Sequence, residues 1–141
     1  MKPLEGITVL EFSTMITASF AAMMMAEQGA RVIKVEPMNV GDPMRYIGAN
    51  KGGISSLFAN CNRGKQSIRV NLKEQAGQEL IRELVAEVDV FIHNFRPGVM
   101  DKLNLGSDAL RELNPRLIYA AISGFGKEGP LGRAPAYDPI I

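Results

Sequence analysis

Five short apolar or β-branched runs, separated by stretches of helical character, most constrain what this chain can fold into. "GITVLEF" (6–12), "ARVIKVE" (30–36), "QSIRVN" (66–71), "DVFIHNF" (89–95) and "RLIYAAIS" (116–123) have the length and composition of strands. Between the first two lies "ITASFAAMMMAEQG" (16–29), rich in Ala and Met, with Gly29 placed to end a helix. That helix is apolar nearly all round, which predicts deep burial. Asn71 and Glu74 have N-cap spacing, and the helix they predict runs to about Val88. Ala76, Leu80, Leu84 and Val88 make its apolar stripe, with Ile81 and Val85 beside it. "PGVMDKLNLG" and "SDALRELN" predict two short helices, the second capped by Ser107. Residues 37–65 read as loop interrupted by one short helix, "ISSLFANC". Helices between successive strands require parallel pairing with right-handed crossovers. The expected fold is therefore α/β, a Rossmann-like parallel sheet with flanking helices, and residues 1–141 are one domain's worth of chain.

Charge and cysteine usage exclude several function classes. Sixteen basic residues face fifteen acidic ones, too even a balance for a general nucleic-acid surface. A single cysteine, Cys61, excludes an intrachain disulfide framework and a Cys-rich zinc site, and no metal site is expected. Cys61 and the single histidine, His93, lie in no nucleophile motif. The start, "MKPLEGITVLEF", is interrupted by acidic residues and is not a signal peptide, and no run reaches the ~18 apolar residues of a membrane span. The expectation is a cytoplasmic protein with no membrane contact.

In parallel sheets, ligands sit at the carboxyl ends of the strands. The segments there are "STMIT", "EPMNVGD", "NLK", "NFRPG" and "SGFGKEGP". Glu36 stands where a nicotinamide-binding domain carries its ribose carboxylate, but the first turn, "EFSTMITAS", lacks the glycines a pyrophosphate needs. Arg45, Arg63, Lys65, Lys73, Arg96 and Lys102 recur in or just after these segments, as a ligand with several phosphates would require; singly, each reads equally as surface charge. "HNFRPG" combines an amide, a ring and a guanidinium ahead of a helix start, a set suited to an adenine-bearing, phosphorylated ligand or to an ordinary strand-to-helix turn. The closing "SGFGKEGPLGRAPAYDPII" is a Gly/Pro loop of the kind that surrounds ligands, or a loose end.

Taken in order, "PLEGITVLEF", "GARVIKVEP", "GDPMR", "NRGKQSIRVNLK", "NFRPGVMDKLNLG" and "LNPRLIYAAISGFGKEGPLGRAPAYD" resemble the N-terminal part of the class III (CaiB/BaiF-type) CoA-transferases, which share a fold with the α-methylacyl-CoA racemases. The resemblance covers essentially the whole chain. It implies a longer, interlocked-dimer fold of which 1–141 is the N-terminal CoA-binding portion. It also implies acyl-CoA and a carboxylic acid as substrates, with no permanently bound cofactor. Catalysis would proceed through a nucleophilic aspartate expected beyond residue 141. CoA contacts carried over by position are Ile16 and Thr17; Val70, Asn71, Leu72 and Lys73; Asn94, Phe95 and Arg96; Lys102; and Pro135, Ala136, Tyr137 and Asp138 at the thioester end. Asp138 would support the chemistry without being the nucleophile. Where the racemases carry a His-Asp pair this sequence has Tyr137 and Asp138, which favours transfer over epimerisation. The alternatives are a racemase of the same fold and a non-catalytic CoA-binding module. The resemblance implies that the chain alone is inactive.

Overall fold

A computed structural model of the chain describes residues 1–132 and 134–136. Five parallel strands form the sheet: β1 (Thr8–Phe12), β2 (Arg31–Glu36), β5 (Gln66–Arg69), β6 (Val90–His93) and β7 (Ile118–Ala121). Their spatial order is β5-β2-β1-β6-β7, so the chain builds outward from β1 in one direction and then in the other. In register, Leu10 lies beside Ile33 and Phe91, and Phe12 beside His93. The helices are α1 (Thr17–Glu27), α2 (Ser56–Asn62), α3 (Gln75–Val85), α4 (Val99–Lys102) and α5 (Ser107–Leu113). A two-stranded hairpin, β3 (Asn50–Lys51) with β4 (Ile54–Ser55), and a 3₁₀ turn at Pro43–Tyr46 lie inside the long loop, where sequence reading expected only the helix.

Alternation along the strands divides the core into two faces. Val9, Val32, Val90 and Ile92 meet Ala18 and Ala22 of α1 on one face. Leu10, Phe12, Ile33, Val35 and Phe91 meet Ile81, Val85, Leu105 and Leu110 from α3 to α5 on the other. Helix α1 ends as its glycine foretold: Gly29 has φ +105°, its N–H reaches Ala26 O at 3.0 Å, and Ala30 N–H reaches Met25 O at 3.0 Å, which closes the helix by the paired backbone bonds of a left-handed C-terminal cap.

Three local expectations are corrected. Helix α1 is not buried all round. It rests on the sheet through Ala18, Ser19, Ala22 and Met23, while Phe20 and Met24, four residues apart on the outward side, are about half exposed. In α3 the buried residues are Ile81 and Val85, and Leu80 is 46% exposed. The helix therefore faces the core with the flank of the expected stripe, Ile81 and Val85, and Gly77 seats its first turn against Asn71. A Cβ there would lie 2.1 Å from Asn71 O. The expected caps also shift: Glu74 and Gly106 occupy the N-cap positions of α3 and α5, with no side-chain cap bond at either. Asn71 instead folds the preceding turn, its Nδ2 donating to Glu74 Oε1 at 2.7 Å and its Oδ1 accepting from Lys73 N at 3.2 Å.

Candidate functional site

Because β1 sends its chain toward β2 while β6 sends its chain toward β7, their carboxyl-end loops part from each other. The crevice so formed is where parallel sheets bind ligands. A cleft of about 530 Å³ lies there. Its walls come from the β1–α1 loop (Thr14 to Thr17), the β6–α4 loop (Asn94 to Pro97) and the chain after β7 (Ile122 to Gly126, with Gly132 and Ala134 to Ala136). Helix α1 begins at the cleft, with no side-chain cap and no acidic residue in its first turn, so its first N–H groups present partial positive charge.

Of the residues singled out from sequence, Ile16, Thr17, Asn94, Phe95, Arg96, Pro135 and Ala136 come together in this lining. Val70, Asn71, Leu72 and Lys73 do not line it. They follow β5, two strands from β1 and so roughly 10 Å along the sheet. Val70 is buried in the core with Leu72 packed against it, while Lys73 is exposed. Lys102 is exposed on α4, outside the lining. Tyr137 and Asp138 lie outside the described residues. Met15 and Phe125 also line the cleft; they lie in the strand-end segments "STMIT" and "SGFGKEGP" but were not singled out as contacts, and Ile122, inside the last strand run, was not expected there.

Asn94 is a brace between loops. Its Oδ1 accepts from Thr14 N at 3.1 Å, and its Nδ2 donates to Thr14 O at 2.7 Å and Thr17 Oγ1 at 3.0 Å. The amide that looked like a ligand contact thus joins the two sides of the crevice. His93, just before it, is buried beside the stacked rings of Phe91 and Tyr119, and its Nδ1 accepts from Phe95 N at 3.2 Å. Burial depresses its pKa to about 4, against a smaller opposing effect of Asp101, so at neutral pH it is an uncharged ring with its proton on Nε2. Burial raises the Tyr119 phenol, which donates to Leu105 O at 3.1 Å.

The strand-end cations divide sharply. Arg45 forks onto Glu36, Nε to Oε2 at 2.8 Å and Nη2 to Oε1 at 2.6 Å, and Ser67 Oγ donates to the same carboxylate. Burial alone would raise Glu36. The bonds from Arg45, Ser67 and the Asp42 N–H outweigh it and hold the carboxyl at about 2. Glu36 is therefore committed inside the protein, which removes it as a ribose ligand. Gly41 makes this wrapping possible: its φ is +69°, and a Cβ would lie 2.7 Å from Glu36 Oε2. Arg63 pairs with Glu27 at 2.6 Å. Lys65 is buried against Glu11 Oε2 at 2.7 Å, with burial lowering its pKa. Arg45 and Lys65 are thus structural, Arg63 is paired at the surface, and of the six expected phosphate cations Arg96 is the one that lines the cleft.

Lys65 belongs to a buried cluster missed from sequence. Lys34 Nζ sits 2.9 Å from Glu11 Oε1 and 3.0 Å from Asp42 Oδ2, and bonds Ser13 Oγ at 2.9 Å and Ser19 Oγ at 3.1 Å. Glu11 Oε2 and Asp42 Oδ2 meet their lysines as ion pairs without an aligned hydrogen bond. Two ammonium groups against two carboxylates leave the cluster neutral, as burial requires. A signal was present: a charge inside each of the buried runs "TVLEF" and "RVIKVE" needs an opposite partner. Cys61 sits on this side of the sheet, in α2 against α1, where burial raises its thiol. His93 belongs to the other face, so the two are no nucleophile–base pair.

Comparison with known proteins agrees with this architecture. The sequence profile of CoA-transferase family III matches residues 4–141. An acetyl-CoA:oxalate CoA-transferase of Acetobacter aceti is 43% identical over 99% of this chain and 36% of its own length. A human succinyl-CoA:glutarate CoA-transferase is 38% identical over 99% of this chain and 32% of its own. The crystal structure of a CAIB/BAIF family protein from Brucella suis superposes with a TM-score of 0.92 at 39% identity, covering 99% of this chain and 38% of that one. The chain thus spans about a third of the length of the relatives it matches.

Proposed function

Because this chain belongs to CoA-transferase family III, we propose that its cleft holds the CoA moiety of an acyl-CoA while CoA passes to a carboxylic acid acceptor. The observation that carries the reading is the switch-point cleft itself. It has about 530 Å³ of space, an uncapped helix N-terminus, a guanidinium at Arg96 and walls rich in Gly and Pro. Such a site suits a long, anionic, thioester-bearing ligand.

The chemistry explains why a holding site is needed. A carboxylate nucleophile, which we place outside residues 1–141, attacks the thioester and releases CoA as thiolate, leaving an acyl anhydride. The thiolate returns to the aspartyl carbonyl and frees the first acid. The second acid displaces the thiolate again and finally accepts it, regenerating the carboxylate. CoA is thus covalently free twice in one cycle and must be retained by contacts that do not depend on the acyl group. On this reading Thr17, Phe95, Arg96 and the 134–136 segment provide that retention, and Asp138, which lies outside the described residues, is proposed to support the chemistry. Homodimer formation by the longer chain and a cytoplasmic setting belong to the same proposal. Among the described residues, no helix is long and apolar enough to cross a membrane.

Calorimetric titration with CoA tests the assignment. Arg96→Ala is expected to lose a charge-assisted contact, about 1.5–3 kcal/mol. Equal affinity in wild type and variant removes Arg96 from the site, and preference for NAD over CoA overturns the ligand class.

A further inference from the structure

One residue of the cleft wall stands in a conformation its side chain disfavours. Met15 has φ +63°, in the left-handed region that non-glycine residues rarely enter, and it lines the cleft directly before the start of α1. Nothing in the Met side chain favours that conformation, so surrounding contacts must impose it. Two do. Asn94 holds the N–H and the C=O of the preceding residue, Thr14. The Met15 N–H itself points to Asp42 Oδ1 at 3.3 Å.

Asp42 is not part of the cleft surface. It is fully buried in the loop after β2, and every part of it is fixed. Its N–H donates to Glu36 Oε2 at 2.8 Å, its Oδ1 also accepts from Met44 N at 2.9 Å, and its Oδ2 faces Lys34 Nζ at 3.0 Å. Lys34 is in turn anchored on Glu11 at the end of β1, the strand that leads into Met15. The chain of contacts therefore runs from the sheet through Lys34 and Asp42 back to the loop that the same sheet emits.

We propose that Asp42 is a positioning residue for the ligand-binding loop: braced by Lys34, its carboxylate holds the Met15 amide, keeps residue 15 left-handed and so sets the cleft wall and the start of α1. This rests on the reading of the cleft as a CoA site. Two readouts keep the ideas separable: CoA affinity by calorimetry, and the φ-sensitive backbone coupling at residue 15 by NMR, which needs no ligand. Asp42→Ala removes the acceptor; Asp42→Asn keeps the Oδ1 acceptor for the Met15 N–H but loses the charge and turns an amide donor toward Lys34. The expected result is loss of the left-handed coupling and about tenfold weaker CoA binding in Asp42→Ala, with Asp42→Asn retaining the coupling and recovering most of the affinity. Because Asn tolerates the left-handed region, Asp42→Ala placed on Met15→Asn should bind no more weakly than Met15→Asn alone. A left-handed residue 15 in folded Asp42→Ala overturns the proposal, as does equal weakening by Asn and Ala. If Asp42→Ala does not fold, Asp42→Ser, whose hydroxyl is too short to reach the Met15 N–H, takes its place, and a left-handed residue 15 in that folded variant overturns the proposal equally. Failure of the wild type to bind CoA sinks the ligand reading, while the coupling still decides the role of Asp42.

Discussion

Acidification from pH 7 to 4.5 should destabilise this protein through one histidine. His93 is buried under Phe91 and Tyr119, and its Nδ1 is occupied by the Phe95 N–H. Its pKa is pushed from 6.5 down to about 4 by burial. In the unfolded chain the imidazole takes up its proton near 6.5, whereas the folded protein resists until about 4. The contribution is therefore complete above about pH 6.5 and is lost as pH falls toward 4. The full shift amounts to roughly 3 kcal/mol at about 1.36 kcal/mol per unit. About 2 kcal/mol of it is lost between pH 7 and 4.5. Urea titrations at pH 7, 6, 5 and 4.5 should show the midpoint falling by about 1 M in total. His93→Gln, which has no proton to gain, should start less stable at pH 7 and decline much less. A wild-type midpoint unchanged from pH 7 to 5, or an equal decline in His93→Gln, would refute the argument.

Below this window a second acid-sensitive group takes over. Glu36 is held at about 2 against an ordinary 4.5, so its stabilisation, roughly 3 kcal/mol, is present above pH 4.5 and lost as pH falls toward 2. Arg45→Lys, which replaces the two-bond fork with a point charge, should move the Glu36 carboxyl titration upward, as followed by carbon NMR; an unmoved titration would assign the depression to Ser67 and the Asp42 amide. Gly77→Ala tests local packing by sign. Within a helix this change normally stabilises by about 1 kcal/mol, but here the new methyl would lie 2.1 Å from Asn71 O, and a loss of about 3 kcal/mol in urea unfolding is expected.

Strand positions and the parallel fold were legible because period and β-branching are local properties of the chain. Each of the five runs became a strand, trimmed at its ends. The exposure of Leu80 in α3 was not legible, because two adjacent apolar stripes, Leu80/Leu84 and Ile81/Val85, fit the same period and only packing against the sheet selects between them. The cleft was legible by topology, since strand-end loops can be named before a structure exists. The fate of its charges was not: Arg45, Lys65 and Arg96 look alike in sequence, and only the partners Glu36 and Glu11, distant along the chain, distinguish a structural cation from one facing the cleft. The bracing bonds of Asn94 were not legible either, because an amide beside a crevice can bridge its two walls as readily as it can face a ligand.

The two faces of the sheet are held together by unlike physics. Under α1, toward the carboxyl edge, lie Glu11, Lys34, Asp42 and Lys65, a neutral set of charges closed off from water. Under α3 to α5, Phe12, Phe91 and Tyr119 stack in series with ring centroids 4.8 Å and 5.1 Å apart. Apolar packing weakens on cooling, while the penalty for burying charge eases on warming. Both layers are therefore weaker in the cold, for different physical reasons, and the β1 and β6 loops that wall the cleft emerge from the sheet shared by both. A molecule seated between those loops binds only the assembled sheet and so acts as a rivet through the laminate, holding both layers at once.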